Sequence, residues 1–151
     1  MKRLLAILTL LIGLSAFADS GSNSVMVHLN YVSPKGTHTN MFFECSVTIS
    51  NQTSAPLTAT NLFSQPPGLA MVVRGWYGEE LARTYAWPLK SEAFTFSPDT
   101  PYTYRLWYGT KPVGISLPND AVDVSFRIEG TLSGSSYTNS ITSNFIVTKV
   151  P

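Results

Sequence analysis

From Val122 to Glu129 the chain alternates without a break, with Val122, Val124, Phe126 and Ile128 on one side and Asp123, Ser125, Arg127 and Glu129 on the other. A period of two sends successive side chains to opposite faces of an extended backbone, so this stretch reads as a half-buried strand. Met41 to Ser50 repeats the pattern, with Met41, Phe43, Cys45, Val47 and Ile49 set against Phe42, Glu44, Ser46, Thr48 and Ser50. Val25, Val27, Leu29 and Tyr31 alternate in the same way with Met26, His28 and Asn30. Between such segments come turn-forming clusters: Asn51 to Pro56, Ser64 to Gly68, Tyr77 to Glu80, Ser97 to Pro101, Gly109 to Pro112, Pro118 to Asp120 and Ser133 to Ser136. They divide the chain into about nine or ten short strands. No apolar stripe of period 3.6 is long enough for a helix, and Glu79 to Arg83 suits one helical turn at most. The expected fold is therefore all-β, an immunoglobulin-like antiparallel β-sandwich.

The first residues have a different grammar. Met1-Lys2-Arg3 is a short positive segment, Leu4 to Leu14 is apolar apart from Thr9 and Gly13, and Ala16-Phe17-Ala18 places small residues where a signal peptidase reads them. The apolar run falls short of the ~18 to 20 residues that span a bilayer, so a cleavable signal peptide over residues 1–18 is expected, with cleavage before Asp19. Residues 19–151 then form a single β-sandwich domain with no membrane span, periplasmic or secreted.

Charge narrows the partners. The chain has 10 Lys+Arg and 9 Asp+Glu; losing Lys2 and Arg3 leaves 8 against 9, a net charge of minus one. No basic stripe exists to hold a nucleic acid. One cysteine excludes an intrachain disulfide, and a domain of this size buries enough surface to do without one. Cys45 alternates inward beside Glu44, whose charge disfavours a thiolate, so it is expected to be core filler rather than a nucleophile. His28 and His38 have no metal-site spacing, and Asp120, Asp123 and Glu79-Glu80 sit at turns that favour acidic residues anyway. No catalytic residue, metal or cofactor is assigned, and the chain is not expected to be an enzyme.

Aromatic residues carry the functional expectation. Tyr102, Tyr104, Leu106 and Tyr108 share one strand face and Thr103, Arg105 and Trp107 the other; one set must be core, leaving Trp107 beside Arg105 as a pair suited to an interface or to stacking on a sugar ring. Trp76 and Tyr77 precede a glycine turn and offer a second aromatic pair. Gln65, Pro66 and Pro67 form a loop that prolines would hold extended at low entropic cost.

Phe43 to Thr53 followed by Pro56-Leu57-Thr58 reads as strand, Asn, small polar residues, Pro, strand. After it come Met71 to Arg74 before Gly78, then Tyr85-Ala86-Trp87, Phe96-Ser97-Pro98-Asp99 and Tyr102 to Trp107. Over about residues 40–108 this order resembles the bacterial intracellular proteinase inhibitor (BsuPI-type) family. The resemblance implies an immunoglobulin-like sandwich and, more remotely, protease inhibition. Three functions are thus expected in order: an exported non-catalytic binding or structural module of the bacterial envelope with a protein partner, a protease inhibitor presenting the proline loop, and a carbohydrate-binding module that holds a glycan on its exposed aromatics.

Overall fold

The computed structural model describes residues 24–62, 68–87, 93–109, 115–135 and 137–150. The signal-peptide segment and the loop with Gln65, Pro66 and Pro67 lie outside the described residues.

Nine strands are described: β1 (Val25–Thr37), β2 (Asn40–Asn51), β3 (Leu57–Ala59), β4 (Ala70–Arg74), β5 (Glu80–Trp87), β6 (Phe94–Phe96), β7 (Tyr102–Tyr108), β8 (Asp123–Ser133) and β9 (Thr138–Lys149). Seven form one antiparallel sheet in the order β1-β2-β7-β5-β4-β8-β9, and β3 pairs with β6 in a separate ribbon. The join between β5 and β7 consists of two residue pairs, Ala86 with Tyr108 and Trp87 with Trp107. Around this narrow join the sheet divides into two leaves, β1-β2-β7 and β5-β4-β8-β9. Their apolar faces meet, with the rings of Phe43 on β2 and Phe126 on β8 edge to face at 4.8 Å. The fold is an all-β, immunoglobulin-like antiparallel sandwich.

The alternation read from the sequence builds this core. Met41, Phe43, Cys45, Val47 and Ile49 are fully buried from one leaf, and Met71, Val73, Val124, Phe126 and Ile128 from the other. The β3–β6 ribbon adds Phe94 and Phe96, whose rings meet Tyr102 edge-on or nearly so at 5.0 and 5.5 Å. On β7 the inward set is Tyr102, Tyr104, Leu106 and Tyr108, while Thr103, Arg105 and Trp107 face out.

Asn51 explains the Asn of the strand-Asn-polar-Pro motif. Its buried side chain donates to the carbonyls of Ala55 (2.7 Å) and Phe96 (3.0 Å). Its Oδ1 accepts from the Thr53 backbone N–H (2.9 Å) and hydroxyl (2.8 Å). One amide thus fixes the turn after β2 and ties it to β6, and all four of its hydrogen-bonding positions are used.

The structure corrects two details. Tyr31 is on the outer surface, because an extra residue at Asn30 puts a bulge between Leu29 and Tyr31 and reverses the parity of β1. Val122 is also exposed, since β8 begins at Asp123 and nothing covers the residue before it. Residues Glu80 to Arg83, where one helical turn was the limit, are extended in β5.

The far edges of the sheet, β1 and β9, come together on the side opposite the β5–β7 join. Asn144 of β9 hydrogen-bonds both backbone groups of Leu29 in β1, and Asn139 Nδ2 donates to Ser24 Oγ. The sandwich is nearly closed into a barrel.

Candidate functional site: an aromatic hairpin between two clefts

β4 and β5 are joined by a tight loop. Gly75 N–H donates to Glu79 C=O at 3.0 Å, and Gly78 N–H donates to Gly75 C=O at 3.0 Å. Gly78 has φ of 84°, the left-handed conformation that closes a three-residue hairpin loop. This geometry leaves Trp76 and Tyr77 at the tip. They are 77% and 92% exposed. Large aromatic side chains rarely stand this free on a monomer without a contact to make.

Two clefts flank Trp76. The first, of about 300 Å³, is lined by Trp76, Phe145 and Val147 together with Arg74, Asp123, Ser125 and Arg127. The second, of about 480 Å³, runs between Trp76, Tyr77 and Leu81 on one side and Pro118 and Asp120 to Asp123 on the other. Phe145, Val147 and Val122 are exposed in their own right, so apolar side chains adjoin Trp76 on both sides, with Asp123 lining both clefts.

Phe145 and Val147 were not foreseen as site residues, and the reason lies in β9. Simple alternation from Ile141 and Ser143 would carry Phe145 and Val147 to the same inner face. Instead β9 has one residue more than β8 between the pairs Glu129 with Thr142 and Arg127 with Phe145. The bulge reverses parity, so Ile141 and Ser143 are buried while Phe145 and Val147 face out. Ser143 holds the bulge: its Oγ accepts from Ile128 N–H at 2.9 Å and donates to Asn144 C=O at 2.6 Å.

Beside the first cleft lies an ion-pair cluster with no sequence signature. Glu129 accepts from Arg83 Nη2 (2.9 Å), Arg74 Nη2 (3.2 Å) and Arg127 Nε (2.5 Å). Arg83 also grips both oxygens of Glu80, at 2.9 and 2.8 Å. Val72, on the outer face of β4 between Arg83 and Arg127 in register, is completely buried. The arginine stems in this sheet supply apolar cover as well as charge. Burial pushes the Glu129 carboxyl up, but hydrogen bonds from Arg83 and Arg74 and the charge of Arg127 outweigh it and hold the group below its ordinary value. Arg74 also donates to Gly78 C=O at 3.0 Å, so the cluster braces the hairpin loop.

The other sequence-predicted aromatic pair is elsewhere. Trp107, 39% exposed, lies opposite Glu44 on the outer face of β7 and packs against Phe42 with ring centroids 5.9 Å apart. Arg105 pairs with Glu44, which also accepts from Tyr31 Oη at 3.3 Å. Trp107 sits beside the Trp87 end of β5 and Trp76 beyond the Glu80 end. At about 3.3 Å per residue the two sites are on the order of 20 Å apart. The structure therefore does not bring Arg105 and Trp107 together with Trp76 and Tyr77.

Cys45 is fully buried, and burial with the nearby Glu44 carboxylate pushes its thiol up to about 12. Among the described residues no three His, Cys, Asp or Glu side chains converge as metal ligands, and no helix is long and apolar enough to cross a membrane.

No protein-family profile and no curated protein matches the chain. Solved structures do resemble it. A Northeast Structural Genomics Consortium target, SoR45, superposes with a TM-score of 0.53 at 14% identity, over 85% of this chain and 88% of its own. A putative late embryogenesis abundant protein aligns at 12% identity with a TM-score of 0.42, over 87% of this chain and 74% of its own. A protein from Archaeoglobus fulgidus aligns at 12% identity with a TM-score of 0.39, over 83% and 91%. The likeness to the first is one of fold, and fold alone assigns no function.

Proposed function

We propose that this chain is an exported, non-catalytic binding module of the bacterial envelope, and that the Trp76–Tyr77 hairpin is its docking element for a protein partner. The observation that carries the reading is the exposure of both aromatics at a rigid tip that Phe145, Val147 and Val122 adjoin. Aromatic anchors on a pre-ordered loop lose little conformational entropy on association, which is where interface energy concentrates. Export rests on the basic, apolar and small-residue grammar of residues 1–18.

The test is site-specific photo-crosslinking in cells. A benzoylphenylalanine at Tyr77 is expected to give discrete covalent adducts in the envelope fraction, while the same group at Met26, exposed on β1, gives none. Adducts absent at Tyr77, or equal at both positions, would overturn the docking role. Mass determination of the exported chain, expected to begin at Asp19, checks the signal peptide independently.

A further inference from the structure

The two walls of the second cleft carry charges of one sign. Glu79 projects from the hairpin side, and Asp120 and Asp123 from the side opposite; among the described residues no lysine or arginine lines the space. None of the three carboxylates makes an ion pair among the described residues. Lys149, the cross-strand neighbour of Asp123, does not reach it, and the arginines on the other side of Trp76 are tied to Glu129. The remaining lining is aromatic or aliphatic: Trp76, Tyr77, Leu81, Pro118, Ala121 and Val122.

Such a lining selects by chemistry. Carboxylates only accept hydrogen bonds, so they match a group that only donates. Indole and phenol faces are negative and attract a cation over the ring. A sugar needs donors as well as acceptors from its site, and these walls carry few side-chain donors. The carboxylates do not converge on a point as ligands of a metal ion would. Resting on the docking role proposed above, the geometry points to a lysine or arginine side chain of the partner protein as the occupant of this cleft, with its ammonium or guanidinium between Trp76 and the carboxylates. The partner's neighbouring apolar residues then lie over Trp76 toward Phe145 and Val147. A protein segment fits better than a lone lipid headgroup, because apolar side chains adjoin Trp76 in this cleft and in the next.

The experiment uses the exported protein labelled with ¹⁵N and three eight-residue peptides of alternating leucine with lysine, Nε-acetyl-lysine or glutamate. The readouts are the Trp76 indole N–H and the amides of residues 120–123. The lysine peptide is expected to move these signals and to bind at least tenfold more tightly than the other two, with an affinity that falls as salt rises. In an Asp120→Asn/Asp123→Asn variant the preference for lysine should disappear while amide signals distant from the cleft stay in place. Equal binding of the lysine and acetyl-lysine peptides would overturn the cation assignment and leave the hairpin as the docking element. Dodecylphosphocholine micelles moving the Trp76 indole when the lysine peptide does not would assign the cleft to a lipid headgroup and overturn it too. If no peptide moves the indole, the inference fails, and crosslinking at Tyr77 decides separately whether the docking role survives.

Discussion

The side-chain amide of Asn144 takes the place of a missing strand for Leu29: Leu29 N–H donates to Asn144 Oδ1 at 2.7 Å, and Asn144 Nδ2 donates to Leu29 C=O at 3.0 Å. A single residue thus copies the two-bond pattern of a ladder where two edges meet without forming one. Asp cannot donate and Ala can do neither, so Asn144→Asp and Asn144→Ala should each cost about 1 to 2 kcal/mol in urea unfolding. An unchanged midpoint for both would show that water replaces the amide without loss.

Glu129 makes the stability depend on acidity. Its folded-state carboxyl titrates below the ordinary 4.5, as does that of Glu80, held down by the Arg83 hydrogen bond. A depressed carboxyl contributes stability in full above the unfolded value and loses it as pH falls through the folded one. Wild-type stability should therefore decline below about pH 4.5, and in Glu129→Gln that decline should be shallower. At neutral pH the variant should be less stable by about 1 to 2 kcal/mol, the partial exposure of the arginines limiting the effect. Denaturation midpoints measured from pH 3 to 7 decide it.

Cys45 and Tyr108 should behave as packing groups. Both are fully buried, and the Tyr108 hydroxyl has no hydrogen-bond partner among the described residues. Tyr108→Phe should leave stability unchanged or raise it by about 1 kcal/mol, because it removes an unmatched buried polar group. Cys45→Ser creates such a group and should cost about 1 to 3 kcal/mol. The native thiol should resist a disulfide reagent until the chain unfolds; rapid labelling of the folded protein would contradict its burial.

Gly78→Ala tests the hairpin. The added methyl meets nothing within 4 Å, but φ of 84° is strained for an L-residue. The substitution should cost about 1 to 2 kcal/mol through the backbone alone. Trp76→Ala, at an exposed position, should stay within about 0.5 kcal/mol of wild type. Equal effects from the two would mean that the tip is held by side-chain packing instead.

Much of the architecture was written in period-two runs. Met41 to Ile49 and Val124 to Ile128 face the core as their alternation requires, whereas both faces of β7 carry an aromatic residue and only the packed structure shows that the Tyr108 set is inward. What escaped was the position of single extra residues. Nothing local marks Asn30 or the Ser143–Asn144 pair as bulges, so Tyr31 was placed with the inner set and Phe145 and Val147 drew no attention. The Glu129 cluster was equally hidden: Arg74, Arg83 and Arg127 meet one carboxylate only once the β5-β4-β8 register exists. Trp76 and Tyr77 stood out in the sequence as candidate binding aromatics, but their place at a hairpin tip appears only once β4 and β5 are paired around Gly78.

The bulge at Ser143–Asn144 makes β9 a strand read in two frames. Up to Ser143 its odd-numbered residues are interior, and from Phe145 onward they are exterior. A deletion of Asn144 would restore plain alternation and leave Phe145 and Val147 outside with Ile146 and Val150 facing in, but it would withdraw the amide that meets Leu29. The inserted residue therefore serves closure and not the apolar wall beside Trp76, and a lineage that lost it would keep the wall on a sandwich open at its β1–β9 side.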